Sequence, residues 1–144
     1  MKLKTFFLIA AIFGIVLGLS FFFAPATVMS SFGVSADESH QHTARNFGSA
    51  VIGLAVISWL ARNSSDSIAR RAIVLGLFMY FIFGSISIIS FQLQGNSNVY
   101  GWFIIGLHVL LTLGFGYYIF ANPHTLFGID LTAMIDLLPV ITIV

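Results

Sequence analysis

The chain has 144 residues, 58% of them hydrophobic and 8% charged, with no cysteine and a formal net charge of +1. A soluble domain carries roughly a quarter charged residues, so the composition excludes an ordinary water-soluble protein and makes the lipid bilayer the first expected partner. The missing cysteines exclude disulfides, thiolate metal sites and thiol nucleophiles, and the near-balanced charge gives no reason to expect nucleic acid.

Four apolar runs follow in chain order, at about residues 5–24, 47–61, 72–91 and 101–121. A hydrocarbon core of about 30 Å takes about 20 helical residues to cross. Runs of this length without period-2 alternation satisfy their backbones as helices rather than as barrel strands. The expected fold is therefore all-α: a polytopic membrane protein with four transmembrane helices in a single bundle, one domain over 1–144.

The first run resembles the core of a signal peptide, with Lys2 and Lys4 before it and Ala24-Pro25-Ala26 after it. Signal cores are about 7–15 residues long. This one is nearer twenty and is expected to stay as a span. Ala10, Gly14 and Gly18 recur every fourth residue on one face, the small-xxx-small signature of close helix packing. Pro25 then ends the helix near the interface.

The second run is too short. Its uncharged part, Phe47 to Ala61, has fifteen residues and spans only about 22 Å. To cross, the helix must draw in residues 42–46, so the second span becomes 42–61 with His42, Arg45 and Asn46 partly submerged. Ser35-Ala36-Asp37-Glu38 matches a capping box, which predicts a helix start at about Ala36. On that helix Glu38, His42, Arg45 and Ser49 share a stripe. His40 and His42, with Asp37 and Glu38, invite a metal reading. Side chains two apart on a helix point about 200° from each other, however, so no metal site is expected. The segment is either a capped, solvated helix entrance or a buried polar cluster with a ligand or subunit role. Gly48 and Gly53 are further candidates for packing.

The third span, 72–91, carries Gly76, Tyr80, Gly84 and Ser87 within about 80° of one another, a second expected packing face. The fourth, 101–121, is bounded by Trp102 and by Tyr117-Tyr118, where interfacial aromatics belong. His108 lies near its middle, with Thr112 one turn on. An ionisable residue inside a span is a functional candidate by default. The bland alternative is a neutral imidazole bonded to a carbonyl, to Tyr80 or to a serine of the third span. "LGFGYYIF" lacks the context of a potassium filter, being part of a continuous span. Residues 122–144 open on Asn122-Pro123 and are expected to form an interfacial tail, with Leu131, Ile135 and Leu138 on one side. "FFFAPATVMSSFGV" and "YIFANPHTLFGI" share a faint echo that is equally well explained as two helix exits.

Lys2, Lys4, Arg62, Arg70 and Arg71 flank one side of the expected bundle. By the positive-inside rule both termini are expected in the cytoplasm, with a prokaryotic plasma (inner) membrane as the setting.

A first span ending at Pro25, a Phe32-Gly33 pair, and Arg45-Asn46-Phe47-Gly48 followed by Gly53 resemble the small four-helix membrane proteins called DoxX-like or of unknown function. "ARNFG" also resembles the start of the second span of the four-helix scaffold of eukaryotic sterol biosynthesis. The resemblance covers about three spans and implies an accessory or scaffolding role with no catalytic residues to carry over. Three functions are thus expected, in this order. The first is a non-catalytic accessory or scaffolding subunit, as a homo-oligomer or in a larger membrane complex. The second is a small-solute transporter or channel whose polar path joins His108 to Glu38, His42 and Arg45. The third is an enzyme on a lipid or quinone. No cofactor is predicted.

Overall fold

A computed structural model describes residues 2–121. Every regular element among them is helical: α1 (Leu3–Phe23), α2 (Pro25–Ser31), α3 (Glu38–Ala61), α4 (Ile68–Leu93) and α5 (Tyr100–Ala121). Four of these, α1, α3, α4 and α5, are long and apolar enough to cross a membrane, as an integral membrane protein requires. Their outer surfaces fit that medium. Val16, Phe83 and Leu113 are each at least 60% exposed, a face that water would penalise and that acyl chains solvate. The expected tail at 122–144, with Leu131, Ile135 and Leu138, lies outside the described residues.

The helix ends follow from local chemistry. Pro25 does stop α1, but it also starts α2, a short helix the sequence does not announce. Proline suits the first helical position, where its missing N–H has no intrahelical partner anyway. The expected cap at Ser35 is corrected. Asp37 is the N-cap of α3, its Oδ1 accepting from the His40 backbone N–H at 2.9 Å. A carboxylate at the cap satisfies an orphan N–H and meets the positive end of the helix dipole. Ser67 caps α4 in the same way, accepting from Arg70 N. With α3 running over 24 residues, the short second run becomes a helix of about 36 Å.

The long helices pair off. α1 lies against α3 and α4 against α5. Ala10, Gly14 and Gly18 line the buried face of α1. Gly14 and Gly18 meet Gly48, Val51 and Ala55 of α3, where backbone reaches backbone. Gly53 and Gly76 do not pack against any of the described residues: a side chain at either would meet none of them within 4 Å. The Gly76–Ser87 face of α4 is corrected with them. The buried face runs through Val74, Leu77, Phe81 and Ser85 instead, because bulky apolar groups fill the space that the other pair leaves. Gly84 is the exception, standing against the His108 ring.

The long helices of the two pairs pack into a common core at one end. Phe6 and Phe7 of α1, Ala61 of α3, Phe81 of α4, and Leu111 and Phe115 of α5 form a single core cluster there. Phe81 and Phe115 stack with centroids 5.9 Å apart, and Phe7 meets Phe115 edge-on at 5.6 Å. Phe7, Leu111 and Phe115 are wholly buried. Toward the opposite end the pairs part, and a cavity opens between them.

Candidate functional site

The cavity has a volume of about 420 Å³, within the range of about 300–1,000 Å³ typical of small-molecule sites. Leu17 and Phe21 of α1 and Ala44 and Phe47 of α3 form one wall. Ile88 and Phe91 of α4 with Gly101 and Ile104 of α5 form the other. Met29, Phe32 and Val34, from α2 and the turn after it, cover the open end. The lining is thus almost entirely hydrocarbon and aromatic ring.

Five polar side chains border this space: His108, Gln92, His40, Thr43 and Ser97. His108, 4% exposed, stands at its inner limit, where a second cavity of about 20 Å³ continues toward Tyr80 and Phe81. The imidazole packs edge-on against Phe81 with centroids 5.4 Å apart. Its Nδ1 lies 3.0 Å from the Ile104 carbonyl oxygen, one turn back on its own helix. A carbonyl only accepts, so Nδ1 carries the proton. A neutral ring then presents Nε2 as a bare acceptor, with no hydrogen-bond partner among the described residues. Of the acceptors expected for the ring, it uses a carbonyl, within its own helix, and among the described residues it bonds neither Tyr80 nor a serine of α4. Ser85 instead approaches Thr112, Oγ to Oγ1 at 3.4 Å, and Thr112 donates to the His108 carbonyl at 2.8 Å.

Gln92 is the second polar group and one the sequence reading passed over. It is 9% exposed, and its Nε2 donates to the carbonyls of Ser97 and Asn98 at 3.3 and 3.1 Å. Its Oε1 is buried without a partner among the described residues and lies against Gly101, where a Cβ would collide with it. The signal was present: a glutamine in the last turn of an apolar span is costly unless its amide is used. Here it braces the α4–α5 turn. That turn is latched in turn to α2, since Asn98 N and Ser97 Oγ donate to Phe32 O at 3.0 and 3.2 Å, and Asn98 Nδ2 donates to Ser31 O at 2.8 Å. Gly33, at φ +76°, makes the reversal that turns the Phe32 carbonyl toward these donors.

His40 is the third, at the mouth. The capping Asp37 also holds its ring, Oδ2 to Nδ1 at 2.9 Å. The half-turn geometry separates it from His42, which stands on the other face of α3 and does not line the cavity. Among the described residues no three His, Cys, Asp or Glu side chains stand close enough to share a metal ion.

Of the two readings of the α3 polar stripe, the structure has the capped, exposed helix entrance and not the buried cluster. Glu38, His42, Arg45, Asn46 and Ser49 are all exposed, because Ala44, Gly48 and Val51 take the inward face. Asn46 Nδ2 comes within 3.3 Å of His42 Nε2, while Glu38 and Arg45 have no hydrogen bond or ion pair among the described residues. This stripe and His108 do not meet. Among the described residues no continuous polar path joins them.

Residues 8–143 match a family described as a domain of unknown function, DUF8292. The chain belongs to the DUF8292 family. No curated protein and no solved structure matches it. The family match covers all four spans together with the elements that build the cavity.

Proposed function

We propose that this DUF8292 protein is a non-catalytic integral membrane protein that binds a small apolar molecule between its two helix pairs. The observation that carries this reading is the cavity itself. Its walls are built from both pairs, its polar borders are few and placed, and its inner limit is a histidine rather than more hydrocarbon. Such a mixture of apolar lining and a few convergent polar groups is the usual character of a ligand site. The basic residues Lys2, Lys4, Arg62, Arg70 and Arg71 cluster at the closed end. That distribution favours a cytoplasmic closed end and a cavity in the outer half of a plasma membrane, as in a prokaryote.

The test is native mass spectrometry of the full chain extracted in mild detergent. Wild type is expected to carry one apolar molecule per chain. Thr43→Trp, which adds bulk at the cavity from an exposed position, is expected to lose it. Wild type and variant both free of any such molecule, across several detergents, would sink the reading.

An accessory or scaffolding role has one observation of its own. His42, Asn46, Ser49 and Gly53 share the outward face of α3, where nothing among the described residues covers them. Polar and small side chains facing lipid are the kind that a second helix covers, from another copy or from a larger membrane complex. Ser49→Leu with Gly53→Leu is expected to abolish cross-linking to that neighbour at Asn46. Unchanged cross-linking removes this role for the face.

A further inference from the structure

The cavity's donors and acceptors are unevenly used. Thr43 spends its hydroxyl on the Ser39 carbonyl at 3.1 Å, and Ser97 spends its own on Phe32 O. The Gln92 amide N–H groups go to two carbonyls. What remains is His108 Nε2, on the ring edge beside Gly84, Gln92 Oε1 turned against Gly101, and at the mouth the His40 Nε2. No lysine, arginine, aspartate or glutamate lines the space among the described residues.

We propose, on the ligand-binding reading above, that the occupant is an uncharged apolar molecule bearing a hydroxyl group, whose O–H donates to His108 Nε2. An acceptor buried beside an apolar cavity rejects a ligand that brings only another acceptor, since two lone pairs then face each other with no proton between them. A carboxylate or phosphate does this and adds a charge that the hydrocarbon walls do not solvate. A plain hydrocarbon leaves Nε2 unmet. A hydroxyl satisfies it and leaves the rest of the molecule to the walls. Phe21, Phe32, Phe47 and Phe91 line the space, which suits an aromatic or flat alicyclic body as well as a chain. At about 30 Å³ for each water-sized group, the cavity takes on the order of 14 such groups.

The hydroxyl can belong to a phenol or to an aliphatic alcohol, and the experiment separates them. The full chain in lipid nanodiscs is titrated with 4-octylphenol, with its methyl ether, with 1-dodecanol and its methyl ether, and with 4-octylbenzoate, each followed by ligand-observed NMR. Each alcohol is expected to bind about tenfold more tightly than its own ether, and the tighter alcohol identifies the source. In His108→Leu each alcohol-to-ether ratio is expected to fall to about one, with the ethers still bound.

Alcohols and ethers that bind wild type equally overturn the hydroxyl assignment while leaving the cavity as an apolar site. Tightest binding by the benzoate overturns it in favour of an anion held at the His40 mouth. Binding of none of the five removes the ligand-binding reading itself. Should His108→Leu fail to fold, the wild-type ratios decide alone. The ¹⁵N shift of His108 Nε2 supplies a second readout, expected to move on adding the phenol and to stay still on adding its ether.

Discussion

Gly18 and Gly48 touch backbone to backbone. A Cβ on Gly48 would stand 2.7 Å from the Gly18 carbonyl oxygen, and one on Gly18 would stand 2.9 Å from that of Gly48. Neither neighbour is a side chain that can rotate away. This contact lets α1 and α3 close on each other along one length while the wedge toward α4 and α5 stays open.

Gly48→Ala is accordingly expected to destabilise the fold by about 1–3 kcal/mol, the usual cost of forcing extra volume into a packed contact. Gly53→Ala, five residues on and facing open space, is expected to be neutral or to stabilise by up to about 1 kcal/mol through helix propensity. Thermal unfolding of the two variants in one detergent checks the contrast. Equal effects would show that the α1–α3 contact is not as close as described.

The closed end makes a parallel prediction. A Cβ on Gly114 would fall within the Phe6 ring, whereas one on Gly106 would meet nothing within 4 Å. Gly114→Ala is expected to cost about 1–3 kcal/mol, and Gly106→Ala to cost nothing. The midpoint of unfolding on titration with a denaturing detergent provides the measurement.

Asn98 ties the cover of the cavity. Its side chain donates to Ser31 O at 2.8 Å and accepts from Tyr100 N at 3.0 Å. Asn98→Ala removes both bonds and is expected to cost about 1–3 kcal/mol locally. Amide hydrogen exchange is expected to quicken in residues 25–34 and 95–100 and to stay unchanged at the Phe7–Phe115 end. Quickening spread evenly over all helices would count against a local latch.

Asp66, in the turn between α3 and α4, is held below its ordinary carboxyl value by hydrogen bonding to Arg71, whose guanidinium lies 2.6 and 3.1 Å from its two oxygens. A depressed carboxyl contributes stability that is fully present above its unfolded value of about 4. That contribution is lost as pH falls through the lower folded value. Wild type is therefore expected to exceed Asp66→Asn in stability at about pH 6, and the gap to close by about pH 2. The pair is exposed and its effect small, so the difference between the two unfolding curves is the quantity to measure. A gap that persists unchanged at acid pH excludes the ionised carboxylate as its source.

Much of the fold was legible from run length alone. Residues 5–24, 72–91 and 101–121 became α1, α4 and α5 within a few residues, because a continuous apolar run has one way to satisfy its backbone in lipid. Counting extended the second span to residue 42, and the cap signal carried the helix start to about Ala36, two residues before the observed start at Glu38. Boundaries set by side-chain competition were less legible. Ser35 and Asp37 both suit an N-cap by type, and the position where the backbone turns helical decides between them. The site was legible in part. His108 stood out as an ionisable group at depth, but Gln92 did not, since its role depends on Ser97 and Asn98 folding back over it.

The sequence by itself determined that this chain is a four-span helical membrane protein with one histidine at depth, since hydropathy and length are local properties that need no partner. Only the tertiary structure decided which faces those helices turn inward. Gly48 and Gly53 carry the same absent side chain, and one is crushed against a carbonyl while the other faces open space. Arg45 and His42, the most conspicuous polar residues, ended outside because Ala44 and Gly48 allow a closer approach to α1 than they do. Backbone proximity between helices is won by the smallest face available. That face is chosen jointly by all the helices that must pack, so no single helix's sequence reveals it.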